Sequence, residues 1–470
     1  MLCEEALAYR RWILEHDIEG CSITETVGDG LTMDSDVATG VVNFYEIDGA
    51  TVVELRLESK RDGSPLFFLH FEFEDMARAK SLFEEMVDVL VGKLHAKIHH
   101  VLLCCTCGMT TTFFANKLND LAAERGLGYD FNAKSIEEAK RSGQAYEAVL
   151  LAPQVGHLLK AVQAELPGVM VMELPASVFG AYDAAAALQL LLEGLRDARS
   201  AAMGDLRFAR DFDMTKSVLS VSYVFRSDEP TVSYLVLEKG EEKLRGMLVR
   251  KTFDLEAPLQ DLFSTLRLHG YTPESFDAIG IALPGVVDNG CVVMGEGDDA
   301  QRLEIASKLS ERWGVPVYVD NNASAAAAGC YVSQNDWDSV VFHAQPVGVT
   351  ECDQGYVVDG KPHTGRGGFA GNIRHLAKRL TLSMGLEEAA WRYDGMRDLV
   401  ACYLAAVVCT VAPEAIFVWC DLVPDMTELA ESLAEIVPVE AVPELVGVSD
   451  YDGLTLMGEQ CLCLQRLVEA

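Results

Sequence analysis

From His99 to about residue 200, short apolar runs alternate four times with stretches of helical spacing, and this alternation constrains the fold more than any other feature. Val101–Cys104, Tyr129–Ala133, Ala148–Ala152 and Val169–Leu174 have the length and apolar content of buried strands. After the first, Thr110–Arg125 keeps Phe114, Leu118, Leu121 and Ala122 on one helical face, with Gly126 just past its end. Ile136–Lys140 gives a short second helix. A third carries Val155, Leu158, Leu159, Val162 and Leu166 until Pro167-Gly168 stops it, and Leu188, Leu191, Leu192 and Leu195 mark a fourth. Strands separated by helical crossovers pair in parallel, so about 100 residues here predict a small four-stranded parallel sheet wrapped by helices.

The flanks differ in kind. Residues 1–95 open with a helix (Glu4–Glu15) and continue with three strand-like runs, Ala38–Ile47, Ala50–Glu58 and Pro65–Phe73. Asp48-Gly49 and Arg61-Asp62-Gly63 between those runs are hairpin signals. A helix over Asp75–Val91, with Ala79, Leu82, Met86 and Val89 near one face, closes a small α+β unit. It holds no catalytic constellation and reads as a docking or dimerisation module. Residues 201–216 read as a polar linker, and 217–470 as a larger α/β domain with strands at Ser217–Phe225, Val232–Glu238, Leu244–Thr252 and Ala278–Ala282. A chain of 470 residues exceeds one core, in keeping with several domains.

Charge narrows the function. The net charge is -34 without a dense Lys/Arg cluster, which disfavours a nucleic-acid partner. Residues 96–200 hold 11 acids and 9 bases and are nearly neutral, so that segment stands apart from its acidic neighbours. The 13 cysteines are irregularly spaced and follow no signal peptide, as expected of reduced thiols in a cytoplasmic protein. No apolar run approaches the ~18–20 residues needed to span a bilayer, so the chain reads as soluble.

Three of those cysteines lie in Leu102-Leu-Cys-Cys-Thr-Cys-Gly-Met-Thr-Thr-Thr112, where the first strand meets a hydroxyl-rich turn. Metal ligation needs a set of about four ligands, and no paired Cys/His set follows nearby. Cys104 sits inside the apolar run and reads as structural. Cys105 falls at the strand's carboxyl end, where the following helix presents backbone N–H groups and a partial positive charge. There a thiol is expected to ionise below its ordinary ~8.5 and to act as a nucleophile, with buried filler as the alternative. Thr106, Cys107, Gly108, Met109, Thr110, Thr111 and Thr112 then supply close backbone approach, N–H donors and hydroxyls for phosphoryl oxygens.

On these residues, the segment 98–200 resembles the enzyme IIB domain of the lactose, cellobiose and chitobiose branch of the sugar phosphotransferase system. Cys105-x-x-Gly108-Met109-Thr110-Thr111-Thr112 matches that family's loop, and Leu150-Leu-Ala-Pro153-Gln154 its second segment. The resemblance implies that Cys105 accepts a phosphoryl group from a phosphohistidine of enzyme IIA and passes it to a sugar presented by the membrane enzyme IIC. Pro153 and Gln154 would contribute to docking. Cys107 and Ala152 depart from the family's usual small residue and glycine.

Asp277–Gly290, Val315–Gly329, Val358-Asp-Gly-Lys361 and Gly368-Phe-Ala-Gly-Asn-Ile-Arg-His375 resemble the ROK family of sugar kinases and sugar-responsive repressors. That resemblance implies an actin-like α/β fold over 217–470, sugar contacts at Asn321, Asn322, Asn372 and His375, and a homodimer. Kinase chemistry is expected to be lost. Asn322 stands where the family has its aspartate base, and an amide cannot take that proton. Ser220–Phe225 replaces a glycine-rich turn, Glu351 and Asp353 would repel phosphate, Trp419-Cys420 replaces a glycine pair, and the zinc cysteines after His375 are missing. No cofactor and no metal are expected. The sequence therefore reads as a IIB phosphoryl carrier with a kinase-inactive ROK-like tail, or as a phosphorylation-responsive regulator or sugar-sensing scaffold of carbohydrate uptake. An acidic unit occupies the place where the family's repressors carry a DNA-binding helix-turn-helix.

Overall fold

The structure, a computed structural model, describes residues 4–18, 20–26, 30–35, 37–47, 50–60, 65–95, 99–106, 109–203, 206–210, 212–226, 229–249, 256–294, 301–423 and 425–469. They form two compact units, Met1–Ile98 and His99–Ala470.

The first unit contains α1 (Glu4–Leu14), β1 (Cys21–Glu25), β2 (Leu31–Ser35), β3 (Ala38–Ile47), β4 (Ala50–Ser59), β5 (Pro65–Glu72) and α2 (Met76–His95). The strands form an antiparallel meander in the order β1-β2-β3-β4-β5. Ile47 pairs with Ala50, the geometry of a two-residue hairpin, although Asp48, Gly49 and Arg61–Gly63 themselves lie outside the described residues. Tyr9 and Ile13 of α1 and Phe83 and Met86 of α2 bury one sheet face, and the Tyr9 hydroxyl donates to the Ala79 carbonyl at 2.8 Å. β1 and β2 were not expected. β1 reads Cys-Ser-Ile-Thr-Glu; it alternates, but it is only five residues long and has no fully buried residue, so its apolar signal is weak.

In the second unit, β6 (His99–Cys105), α3 (Met109–Glu124), β7 (Tyr129–Ser135), α4 (Ile136–Ser142), β8 (Ala148–Leu151), α5 (Leu159–Glu165), β9 (Met170–Glu173), α6 (Ala176–Ala181) and α7 (Ala184–Met203) follow in turn. The sheet is parallel in the order β7-β6-β8-β9, as the alternation predicts. Val101 to Cys105 are all buried, as a central strand covered on both faces should be.

The remainder builds two lobes. The first comprises β10 (Ser217–Arg226), β11 (Glu229–Glu238), β12 (Glu241–Val249), α8 (Glu256–Leu268), β13 (Ala278–Leu283), a small sheet of β14 (Val286–Asp288), β15 (Cys291–Met294) and β16 (Gln301–Glu304), then α9 (Ala306–Trp313) and β17 (Val317–Asn321). α10 (Asn322–Val332) leads to the second, with β18 (Val340–Ala344), β19 (Asp353–Val358), β20 (Lys361–Pro362), α11 (Leu386–Ala389), α12 (Tyr393–Thr410), β21 (Ala415–Trp419), α13 (Met426–Ala434) and β22 (Glu444–Gly447). α14 (Tyr451–Glu469) ends the chain's described elements. Sheet orders β12-β11-β10-β13-β17 and β20-β19-β18-β21-β22 repeat one topology, the two-lobed α/β arrangement expected for this region. α10 and α14 pack so closely that a Cβ on Gly458 would stand 1.7 Å from the Ala325 carbonyl oxygen, and one on Gly329 2.0 Å from that of Leu454. That contact explains the alanine-rich run of α10, where anything larger would force the helices apart.

The parallel sheet and the second lobe share one apolar cluster, which runs from Leu103, Phe114 and Leu191 to Leu399, Leu404 and Ile416. The segment read as a linker is partly tied down: the Arg210 guanidinium donates to the carbonyls of Tyr331 and Trp337 and to Asp338. Among the described residues, no helix is long and apolar enough to cross a membrane.

Candidate functional site

Cys105 ends β6, opposite Ser135 of β7 in register. It is 4% exposed, and its Sγ lies 3.4 Å from the Thr111 hydroxyl. α3 begins at Met109, four residues on, so the first-turn N–H groups that lack a partner within the helix lie at this sheet end. Thr111 is fully buried, whereas Thr106, Thr110 and Thr112 are exposed. Cys107 and Gly108 lie outside the described residues, as does the Met109 side chain. Pro153 and Gln154 open the turn after β8, the strand beside β6, where the Ala152 N–H donates to the Cys104 carbonyl at 2.8 Å. One strand end therefore brings together Cys105, Thr111, Pro153 and the exposed Gln154. Neighbouring Cys104 is fully buried, and burial pushes its thiol up to about 12, which leaves it inert at neutral pH.

Of the four residues named for sugar contact, Asn321 and Asn322 line different cavities. Asn321 caps α10, its Oδ1 accepting from the Ser324 N–H and its amide donating to the Gly285 carbonyl at 2.8 Å. It lines a cavity of about 570 Å³ with Gly365 and Gly368. Asn322 is 6% exposed and faces a different cavity, of about 470 Å³, while its amide donates to the Tyr223 carbonyl at 2.7 Å. Asn372 donates to the Phe369 carbonyl, and His375 is exposed and stacked on the Phe369 ring. Neither lines either cavity.

The segment at Gly348, just before the Glu351 and Asp353 that the ROK resemblance sets against phosphate, is engaged within the protein. The Gly348 N–H donates to the Ala390 carbonyl at 2.8 Å, and the Trp391 ring lies against Gly348 so closely that a Cβ there would sit 2.2 Å from it. Trp391 is also held by Arg125, the residue just past α3, whose guanidinium lies over its ring at 4.3 Å. A second pair of the same kind joins Arg196 of α7 to Trp419 at 5.2 Å, and Arg196 also forms an ion pair with Asp421 at 3.0 Å. Sequence reasoning missed these arginines. The available signal was Arg196 itself, four residues after Leu192 on an otherwise apolar helical face.

Residues 100–189 match the family described as PTS system, lactose/cellobiose specific IIB subunit, and residues 255–392 match the ROK family. The chain joins a IIB segment to a ROK segment. A xylose repressor of Caldicellulosiruptor bescii is 28% identical over 147 residues, 30% of this chain and 34% of that protein. An N-acetyl-D-glucosamine kinase of Erwinia tasmaniensis is 31% identical over 106 residues, 21% of this chain and 33% of that protein. The chain thus spans about a third of the length of these curated relatives. A ROK family glucokinase from Streptomyces griseus, solved with glucose and AMPPNP, aligns at 16% identity and a TM-score of 0.39 over 52% of this chain and 98% of its own. In the IIB segment the Cys105 sulfur meets the Thr111 hydroxyl; in the ROK segment the Asn321 and Asn322 amides at the β17–α10 junction donate to the Gly285 and Tyr223 carbonyls.

Proposed function

We propose that the IIB segment is a phosphoryl carrier, with Cys105 as the acceptor. The placement of Cys105 at the carboxyl end of β6, immediately before the N-terminus of α3, carries this reading. The Cys105 thiolate attacks the phosphorus of a phosphohistidine on an enzyme IIA; the S–P bond forms as the N–P bond breaks, and the imidazole leaves and takes up a proton. N–H groups of the first turn of α3, with the hydroxyls of Thr106, Thr110, Thr111 and Thr112, then hold the phosphoryl oxygens, and Pro153 and Gln154 form part of the donor's docking face. Onward transfer goes to a sugar hydroxyl presented by enzyme IIC. The ROK segment works without kinase activity and without nucleic acid, in a cytoplasmic protein.

A specific observation favours a regulatory output beside transport. The shared apolar cluster and the Arg125–Trp391 and Arg196–Trp419 pairs hold the IIB segment against the second ROK lobe. The two arginines lie just past α3 and on α7, and on this reading the Cys105 end of the sheet meets the partner. A phosphoryl group adds about -1.5 to -2 charges, enough to reorder contacts within a body so joined. The test is intact-mass and phosphosite mapping of the full chain after incubation with phosphoenolpyruvate, the general phosphotransfer proteins and a lactose/cellobiose-type IIA. One phosphoryl group on Cys105 supports the carrier; none with several IIA proteins removes it. Sugar uptake in cells carrying Cys105→Ser then separates transport, where uptake is lost, from regulation, where uptake persists and gene expression changes.

A further inference from the structure

β5 (Pro65–Glu72) is an outer strand of the N-terminal meander and pairs only with β4. The Phe73 N–H donates to the Thr51 carbonyl at 2.8 Å. Backbone direction alternates along an antiparallel strand, so Phe71, Leu69 and Phe67 also turn their N–H and C=O groups to β4. Leu66, Phe68, His70 and Glu72 turn theirs outward, and among the described residues no hydrogen bond meets those groups. The Phe68 side chain is 58% exposed, with the His70 ring edge-on to it at 4.8 Å.

Edge strands elsewhere in the chain are guarded against pairing. β1, β20 and β22 have only five, two and four residues, and β12, with nine, carries Glu241, Glu242, Lys243 and Arg245. Short length and charge are the usual protections of a sheet edge. β5 has eight residues, Pro-Leu-Phe-Phe-Leu-His-Phe-Glu, with its proline at the first position and its one carboxylate at the last. Beside it, Glu54 is paired with His70 at 2.8 Å and Glu58 with Arg56 at 3.6 Å.

We propose that β5 pairs antiparallel with β5 of a second copy of this chain, joining two meanders into one continuous sheet. A second copy is the occupant because the strand is complementary to itself. With the twofold axis at Leu69, Leu66 of each copy stands opposite Glu72 of the other, and Phe68 opposite His70; these are the four residues whose backbone groups point outward. An axis at Phe68 would set Glu72 against a residue beyond β5, and an axis at His70 would do the same to Leu66. The Leu69 register also keeps the two Glu72 carboxylates apart and places Phe68 beside the His70 ring of the other copy, an aromatic cross-strand contact. Charge agrees with this choice. Two chains of net charge -34 repel over most of their surface and approach at least cost along a neutral edge. The pairing draws nothing from Cys105, so it and the phosphoryl carrier stand or fall separately.

The test is sedimentation velocity of the full chain from about 1 to 50 µM at about 0.15 M salt. The expected result is a concentration-dependent monomer–dimer equilibrium. His70→Pro removes an outward N–H without touching the ladder to β4, and Phe68→Lys sets a charge in the middle of the edge. Each should weaken self-association about tenfold or more. Met247→Lys, at an exposed position of the β12 edge, should leave it unchanged. Circular dichroism confirms that the variants remain folded. A chain that stays monomeric throughout this range overturns the proposal and leaves the edge to a strand of a different protein. A dimer that both folded β5 variants keep overturns it too, because the contact then lies elsewhere in the chain.

Discussion

A related junction is built twice in this molecule: a buried parallel strand whose last residue leads toward a helix N-terminus, directly at β17–α10 and four residues on at β6–α3. At β6–α3 the residue is Cys105, whose sulfur meets a hydroxyl, with three exposed threonines around it. At β17–α10 the residues are Asn321 and Asn322, and their amides are spent on Ser324, Gly285 and Tyr223. Both places offer helix N–H groups at the mouth of a sheet. The difference teaches that the fold supplies the location, whereas the hydrogen bonds already made there decide what chemistry is left over.

The largest effect expected from this contrast is at Cys105. Cys105→Ser should abolish phosphoryl incorporation, while Cys104→Ala, one residue away but fully buried with its thiol pushed up to about 12, should retain it. Mass mapping of both variants checks the pair; modification of Cys104 in the Cys105 variant would erase the distinction drawn here. Next comes the shared core. Leu191 in the IIB segment and Leu404 in the ROK segment are fully buried in one cluster, and truncation of either to Ala should cost about 2–5 kcal/mol. Urea unfolding followed by fluorescence and by limited proteolysis of each segment should show one coincident transition for residues 99–470. Two separated transitions would mean that the segments are stable independently.

Much of this was legible in the sequence. The parallel sheet followed from the spacing of Phe114, Leu118, Leu121 and Ala122 against the Val101–Cys104 run, because burial on both faces leaves a near-continuous apolar strand. Cys105 could be placed at the strand's end for the same reason. The sheet's attachment to the ROK lobe was not legible, since an arginine on a helix reads as solvated until its partners, Trp419 and Asp421, are brought more than 200 residues back along the chain to meet it. Nor was the turn of Asn321 and Asn322 toward different cavities: motif order fixes neighbourhood, but side-chain direction comes from bonds such as Asn322 to the Tyr223 carbonyl.

Arg196 gives a smaller effect than the core but a more local one. Its side chain is 10% exposed and that of Asp421 11%, so Arg196→Ala leaves a carboxylate buried beside Trp419 and should cost about 3 kcal/mol. Arg196→Lys should recover only part of this, because the planar stacking on Trp419 is lost. Smaller again is an acid effect in the second ROK lobe. His343 on β18 is fully buried, and burial lowers its pKa to about 3. The unfolded chain takes up the proton near pH 6.5 and the folded one refuses it. The contribution is therefore complete above about 6.5 and is lost as pH falls from there towards 3, at about 1.4 kcal/mol per unit. Unfolding free energies extrapolated from urea titrations at pH 7 and pH 5 should differ by about 2 kcal/mol from this group, and His343→Asn should flatten that slope.

The smallest expected effect is the sharpest test of the contrast between the two junctions. The ROK resemblance puts an aspartate base at position 322, and if Asn322 alone kept this chain from sugar phosphorylation, Asn322→Asp should confer ATP-dependent activity. The structure predicts that it does not. The new carboxylate would replace the amide that donates to the Tyr223 carbonyl and would face that oxygen without a proton to share, so it is poorly placed to remain an ionised base. The phosphate loop would still have the Gly348 N–H bonded to Ala390 and Trp391 packed over its glycine, with Glu351 and Asp353 nearby in sequence to repel a polyphosphate. Coupled-enzyme detection of ADP from the variant with glucose and ATP should therefore stay at the level without protein. Sugar-dependent ADP release would show that a nucleotide still finds the cleft, and the bonds that close off this junction would have to open far more readily than the Cys105 junction requires.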